Sequence, residues 1–336
     1  MKNPTTKHKV SSKEVAKLAG VSQSTVSRAY NPSYHLDETL KQKVFEAAKQ
    51  LGYRPNAIAR SLLSNRTNII GIVTSSLNSP FIASALNMFI SKLQEEGFQS
   101  LVFVARHGED IDTVLDRILS YRVDLLLIFG ARNTNKITRI CNENGTLAVL
   151  FNRYIPQSNT SAVCCNDYQC GRLVAADLYE NGCRNFAYVS GFENVTTNID
   201  RRNGYVSGLQ ELGIEHCQIV QGGYSYEEGL RAAKDMLAAN PSVDACFCAN
   251  DITAVGVLDY IIHYTNKSIP DDFSIVGFDD ISMSGQLSYQ LSTIHQPVEQ
   301  MVDATIVTIR EMLDNPSARP VLKMIEGEYI KRKTTK

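Results

Sequence analysis

At 336 residues, with 43% hydrophobic and 21% charged side chains, the chain has an ordinary globular composition and is too long for one core, so two or three domains are expected. The net charge of −1 conceals an asymmetry: residues 1–66 carry twelve Lys/Arg against four Asp/Glu, a charge of +8, and the rest sums to −9. A disordered or fibrous chain is excluded, and the basic front piece makes a polyanion the expected partner of the first segment.

In chain order, Met1–Lys9 is polar and basic with no apolar stretch behind it, unlike a secretory signal, and no run approaches the roughly 20 apolar residues of a membrane span. A cytoplasmic chain without membrane contact is expected. Ser11 and Glu14 form a capping box that starts a helix ended by Gly20, with Val15, Ala16 and Leu18–Ala19 as its apolar face. Ser22 caps a second helix, Gln23 to about Tyr30, with Val26 inward and Gln23, Ser24, Ser27 and Arg28 on the opposite side. Asp37 caps a third, Glu38 to about Leu51, ended by Gly52. Two helices joined by a short turn place the second in a major groove, so the head reads as a helix-turn-helix and DNA as its partner.

From Ile69 onward, apolar runs alternate with helical stretches: Ile69–Val73, Leu101–Ala105, Asp124–Phe129, Ala148–Phe151, Ala162–Cys165, Phe186–Ser190, Ile219–Gln221, Ala245–Cys248 and Ser274–Gly277. Strands of this kind belong to parallel sheets covered on both faces. Their number favours two doubly wound subdomains, with ligands bound off the carboxyl ends of the strands. Residues just after each run are therefore the informative ones: Thr74–Ser76, Asn152-Arg153, Asn250-Asp251 and Asp279-Asp280. Amides and carboxylates of this kind bridge vicinal hydroxyls, and an aromatic face covers the apolar side of a ring. Pro297 starts a long helix to about Leu313, Leu322–Tyr329 reads as a closing strand, and the basic tail Lys331–Lys336 as solvated. Cys246 and Cys248 share a strand face, but they have no His or carboxylate company at ligand spacing, so core thiols and no metal are expected.

Gly52-Tyr53-Arg54-Pro55-Asn56-Ala57-Ile58-Ala59-Arg60-Ser61-Leu62, with Ala19-Gly20-Val21-Ser22, Thr25-Val26-Ser27-Arg28 and Asn31-Pro32, resembles the head and hinge of the lactose-repressor (LacI) family. Arg201-Arg202-Asn203-Gly204-Tyr205, Ala249-Asn250-Asp251, Ile275–Asp280 and Ser292–Pro297 extend the resemblance through the body. It implies an α/β body of two periplasmic-binding-protein-like subdomains behind a small all-α head. The implied divisions are a head over 1–55, a hinge helix and linker over 56–68, one subdomain over 69–164 plus 297–324, and another over 165–296 plus 325–336. By the resemblance, Gln23 and Ser24 discriminate operators, Arg28 pairs with a guanine edge, and Ser22, Thr25 and Ser27 reach phosphates. Asn56 to about Leu63 resembles the hinge helix, with Leu62 as a minor-groove wedge and Ala59 against the groove floor. Arg201, Asn250 and Asp279 are the implied effector contacts, with Asn152, Tyr224, Gln296 and Ser75 lining the cleft.

Asn152 stands where the family has an acid and Cys165 where some sugar-responsive members carry an aromatic, so a nucleobase stays open beside a carbohydrate. The implied protein is a transcriptional regulator, a repressor by expectation, that dimerises on a near-palindromic site. Its dimer face is expected on the helix bearing Ser84, Met88, Ser91 and Lys92. A solute-binding transport protein would share the body but have no use for Ser11–Leu62. No phosphate loop, dinucleotide fingerprint or nucleophile elbow occurs and the six His do not cluster, so neither an enzyme nor a cofactor is expected.

Overall fold

The computed structural model describes residues 10–30, 34–54, 66–74, 76–105, 111–130 and 134–336. It divides into two units, Met1–Asn68 and Ile69–Lys336, each taken here by itself.

In the first unit, α1 (Ser12–Ala19) begins where the Glu14 carboxylate accepts from the Ser11 backbone N–H at 2.8 Å and hydroxyl at 2.9 Å. It ends at Gly20, whose φ of 67° is the left-handed turn that a Cβ disfavours. Ser22 caps α2 (Gln23–Ala29) by accepting from the Thr25 N–H at 3.1 Å, and Asp37 caps α3 (Glu38–Leu51). Val15, Ala16, Val26, Ala29, Val44, Ala47 and Ala48 close the small core. Leu18, read above as part of the apolar face, stays 50% exposed.

The second unit holds two six-stranded sheets. The first runs β11-β5-β4-β3-β1-β2, from β1 (Ile69–Thr74), β2 (Gln99–Val104), β3 (Leu125–Phe129), β4 (Leu147–Phe151), β5 (Ser161–Cys165) and β11 (Leu322–Ile325). The second runs β12-β10-β9-β8-β6-β7, from β6 (Phe186–Ser190), β7 (Cys217–Gln221), β8 (Ala245–Cys248), β9 (Ser274–Asp279), β10 (Ser292–His295) and β12 (Glu328–Ile330). All pairings are parallel except β10 with β12. Alternate residues of one strand enter different cores: Leu125, Leu127 and Phe129 join one cluster while Leu126 and Ile128 join another. That is why the runs are apolar without interruption.

One core lies beneath both sheets and takes in α4 (Pro80–Glu95), α7 (Asp167–Glu180), α8 (Thr196–Glu211) and α11 (Val298–Asp314). On the other faces α5 (Ile111–Ser120) and α6 (Thr134–Glu143) cover the first sheet, and α9 (Tyr226–Ala239) and α10 (Asp251–Tyr264) the second. In each sheet the order reverses beside its first strand, β1 or β6, which opens a crevice at the strands' carboxyl ends. The chain passes between sheets after β5, after β10 and between β11 and β12. Asn166 ties two of these passages together, its N–H donating to Ile325 O at 2.8 Å and its Nδ2 to Glu326 Oε1 at 2.8 Å.

Two expectations are corrected. Leu322–Tyr329 is not one strand but two, β11 and β12, in different sheets, because the chain turns at Glu326-Gly327. The tail is solvated only at Lys331, Lys333 and Lys336. Thr334 and Thr335 are buried, Thr334 Oγ1 donates to Ile275 O at 2.7 Å and accepts from the Ser292 N–H at 2.8 Å, and Arg332 Nη2 meets Asp280 Oδ1 at 2.6 Å. Among the described residues no helix is long and apolar enough to cross a membrane.

Candidate effector site and DNA-reading helix

On the head, Gln23, Ser24 and Arg28 are exposed on α2 while Val26 is buried. Ser22 Oγ meets Ser24 Oγ at 2.7 Å and Thr25 Oγ1 at 2.8 Å, Gln23 Nε2 donates to Ser12 Oγ at 3.0 Å, and Arg28 lies 5.5 Å from the Tyr34 ring. Asn56, Ala59 and Leu62, with the hinge, lie outside the described residues, as does Ser75.

The body site is built around Arg201, which is 2% exposed in the first turns of α8. Its Nε donates to Asp167 Oδ1 at 2.9 Å and its Nη1 to the Ala249 carbonyl at 2.6 Å, with Asp279 Oδ1 3.8 Å away. The guanidinium lies over the Phe278 ring, 3.5 Å from its centre. Burial alone would lower the Arg201 pKa, but the two carboxylates outweigh it and hold it above its ordinary value. Burial pushes Asp279 up to about 8 and Asp167 up to about 6, against the pull of Arg201 on both. Gln296, wholly buried, donates to Asp279 Oδ1 at 2.7 Å. Asp279 and Asp280 take positive φ, 115° and 53°, so the chain turns sharply off the end of β9.

Two other implied contacts are partly committed elsewhere. Asn250 Oδ1 caps α10 by accepting from the Thr253 N–H at 3.0 Å. Tyr224 packs on Phe192 at 5.0 Å between ring centres, over Gly191, where a Cβ would strike its ring. Its hydroxyl lies 3.5 Å from Thr197 Oγ1. Asn152 turns off β4 with φ 63°. Asp251 is structural: it accepts from the Ile281 N–H at 2.9 Å, Ser284 Oγ at 2.7 Å and Thr293 Oγ1 at 2.5 Å, which fixes the turn that carries Asp279.

Sequence reasoning missed Asp167 and Asn198. Asp167 lies two residues past the end of β5, and the rule applied to other strands would have found it. Asn198 lies three residues before Arg201 on α8, hence on the same face. Its Oδ1 accepts from the Tyr188 hydroxyl at 3.0 Å and the Gly191 N–H at 2.7 Å. Buried polar atoms around these elements that make no hydrogen bond include Arg201 Nη2, Asn198 Nδ2, Gln296 Oε1, Asn152 Oδ1 and Arg153 Nε, the last on a guanidinium whose charge acts on Asp167. Three of these donate and two accept. Buried orphans of this kind are costly unless something fills them. Among the described residues no group of three or more His, Cys, Asp or Glu could hold a metal. All eight cysteines are free, and Cys246 and Cys248 lie side by side with sulfurs 3.8 Å apart.

On the dimer helix expected above, Ser84 and Ser91 are exposed and Met88 is half-buried against the core. Lys92 is held within the chain by Asp303.

A helix-turn-helix head with a body of two doubly wound sheets and a buried polar cluster at their strand ends defines a class of DNA-binding, ligand-sensing regulators. A model of bacterial regulatory proteins of the lacI family matches residues 12–56, and one of a periplasmic binding protein-like domain matches residues 175–335. The HTH-type transcriptional repressor PurR of Histophilus somni (strain 2336) is 30% identical over 329 residues, covering 96% of this chain and 98% of the relative. The solved transcriptional regulator CelR–cellobiose complex is 26% identical with a TM-score of 0.73, covering 97% of this chain and 99% of that one. A lac repressor dimer bound to operator and the anti-inducer ONPF, 24% identical, has the same fold with a TM-score of 0.86 over 97% of this chain and 99% of that one. The chain belongs to the LacI family of HTH-type transcriptional regulators.

Proposed function

We propose that the chain is a cytoplasmic, homodimeric repressor whose head binds a near-palindromic operator and whose body senses a neutral polyhydroxylated molecule, a carbohydrate, that alters this binding. The lobes are 69–164 with 297–324 and 165–296 with 325–336, joined to the head over 1–55 by the hinge over 56–68. The observation that carries the reading is the set of buried atoms that make no hydrogen bond, donors and acceptors together, on the residues that follow β4, open α8 and follow β10. Vicinal hydroxyls each donate and accept, so a sugar answers such a set atom for atom. Charge supports a neutral ligand. Arg201 already faces Asp167 at 2.9 Å and Arg153 also acts on that carboxylate, so a phosphate or carboxylate would enter a buried site whose cations already answer an acid. The CelR–cellobiose relative fits the same reading.

Arg201, Asp279, Gln296 and Asn152 hold the ligand, Asn250 and Tyr224 flank it, and Ser75 follows the first strand of the other wall. In the head, Gln23, Ser24 and Arg28 read bases, Ser22, Thr25 and Ser27 hold phosphates, and Asn56, Ala59 and Leu62 enter the minor groove. Coupling between the two sites is on the order of 1–3 kcal/mol, as for allosteric regulators in general. A thermal-shift screen of neutral sugars, sugar phosphates and nucleobases, followed by gel shifts on the chain's own promoter fragment, tests this. Stabilisation by a sugar phosphate with no response to any neutral sugar would refute it. The second reading, a nucleobase corepressor, is favoured by the Phe192–Tyr224 aromatic pair, which offers a flat ring something to lie against.

A further inference from the structure

We propose that Tyr154 is a latch fastening the first-sheet lobe to the turn of α8 that carries the effector site, so that a ligand pulling on that turn moves the lobe with it. The loop between β4 and β5 belongs to the first sheet, and Tyr154 and Ile155 pack on the core shared by α5 and α6. Yet the polar atoms of Tyr154 go to the other lobe. Its N–H donates to Thr196 Oγ1 at 3.4 Å, its carbonyl accepts from the same hydroxyl at 3.3 Å, and its phenol donates to Asp200 Oδ2 at 3.0 Å.

Thr196 and Asp200 are four residues apart on one face of α8. One hydroxyl therefore serves both main-chain groups of Tyr154, as a neighbouring strand would, and the carboxylate holds the far end of its side chain. Residues between and just beyond them belong to the site: Thr197 reaches Tyr224, Asn198 holds Gly191, and Arg201 meets Asp167 and Asp279. A single helical turn thus faces the ligand on one side and the opposite lobe on the other. Burial and then Asp200 push the Tyr154 phenol up to about 12, so it remains a donor throughout the physiological range. The strands that cross between lobes are main chain and bend together. The latch is a set of separable side-chain bonds, which can form in one lobe arrangement and break in another.

The ligand arm of the test rests on the effector reading above, whereas the exchange arm does not. In the full-length, ligand-free chain, hydrogen exchange is followed by mass spectrometry over residues 196–202. Tyr154→Phe keeps the ring and loses only the bond to Asp200, Asp200→Ala removes the acceptor, and Asp200→Asn keeps an acceptor oxygen. Exchange is expected to rise severalfold to about tenfold in Tyr154→Phe and Asp200→Ala and to stay near wild type in Asp200→Asn. With cellobiose, ribose and guanine as probes, the fold-change that a responsive probe causes in promoter-fragment affinity should shrink in the first two variants, while affinity for the probe itself stays within about twofold.

Wild-type exchange over 196–202 in both Tyr154→Phe and Asp200→Ala would overturn the latch. So would faster exchange with an unchanged response to the probe, the mark of a merely structural bond. A wild-type chain that answers no probe counts against the effector reading alone, and the exchange result then decides the latch by itself.

Discussion

Gly204 tests the packing that builds the effector site. It lies where α8 passes over α7, and a Cβ there would strike the Tyr168 carbonyl oxygen and carbon and lie 3.0 Å from its Cα. In an open helix, Gly→Ala stabilises by about 1 kcal/mol. Here the obstacle is main chain, which no rotamer change can move, so the helices must part. Overpacking of this kind costs about 1–3 kcal/mol. Separation also stretches the 2.9 Å bond from Arg201 to Asp167, and a buried bond between charged groups adds about 1.5–3 kcal/mol when lost. After the helix gain is subtracted, Gly204→Ala should destabilise by about 2–5 kcal/mol. At about 2–4 °C per kcal/mol for a chain of this size, Tm falls by roughly 4–20 °C. Gly208→Ala, one turn later, meets the Ala175 Cβ at 2.9 Å, the Arg172 Cα at 3.2 Å and the Arg172 carbonyl oxygen at 3.4 Å and should cost less. Thermal unfolding of both variants checks the order. A Gly204→Ala chain melting within a degree of wild type, or above Gly208→Ala, would refute the close approach of α7 and α8 that sets Arg201 against Asp167.

The remaining predictions concern pH, DNA and the tail. Because burial raises Asp279 to about 8, the folded chain holds that proton more tightly than the unfolded one, and stability falls as pH rises from about 4 to about 8. Between pH 6 and 8, where Asp167 and Asp251, both near 6, are already ionising, the slope belongs mainly to Asp279, at most about 1.4 kcal/mol per pH unit. Melting curves of Asp279→Asn should be flatter there, and an unaltered slope would contradict the assignment. Arg28→Ala should lose about fivefold to 150-fold in operator affinity, about 1–3 kcal/mol, with a much smaller loss on random duplex, measured by competition gel shift. Equal losses on both would make Arg28 a phosphate contact. Deleting residues 331–336 should lower Tm by several degrees, because Thr334 bonds β9 and β10, whereas replacing Lys331, Lys333 and Lys336 by Ala should cost little. The reverse order would restore the reading of the tail as solvated.

Local chemistry was legible in the sequence wherever it acts within a few residues. The caps at Ser11, Ser22 and Asp37, the stops at Gly20 and Gly52 and most strand cores follow from rules of that range. Pairing was not. Leu322–Tyr329 has the composition of one strand, and only contact with β5 on one side and β10 on the other assigns its halves to different sheets. The tail misleads for a related reason: its lysines advertise solvent, while the threonines that dock it look equally at home in water. Arg201 was found through the family resemblance, and a cation near a helix start is locally unfavourable, so something distant must hold it. Its pairing with Asp167 was not legible, since thirty-four residues separate the two and their meeting depends on two helices crossing at Gly171 and Gly204.

The charge division also bears on specificity. A head of +8 attracts any duplex, whereas a body of −9 repels it, and both fields fade within a Debye length of about 8 Å at physiological salt. Attraction between head and phosphates acts at contact and survives. Repulsion from the body acts chiefly on loose encounters, in which the acidic surface approaches DNA as often as the basic one does. Removing negative charge from the exposed surface of the body should therefore strengthen binding to random duplex more than binding to the operator, and the gap should close as salt is raised.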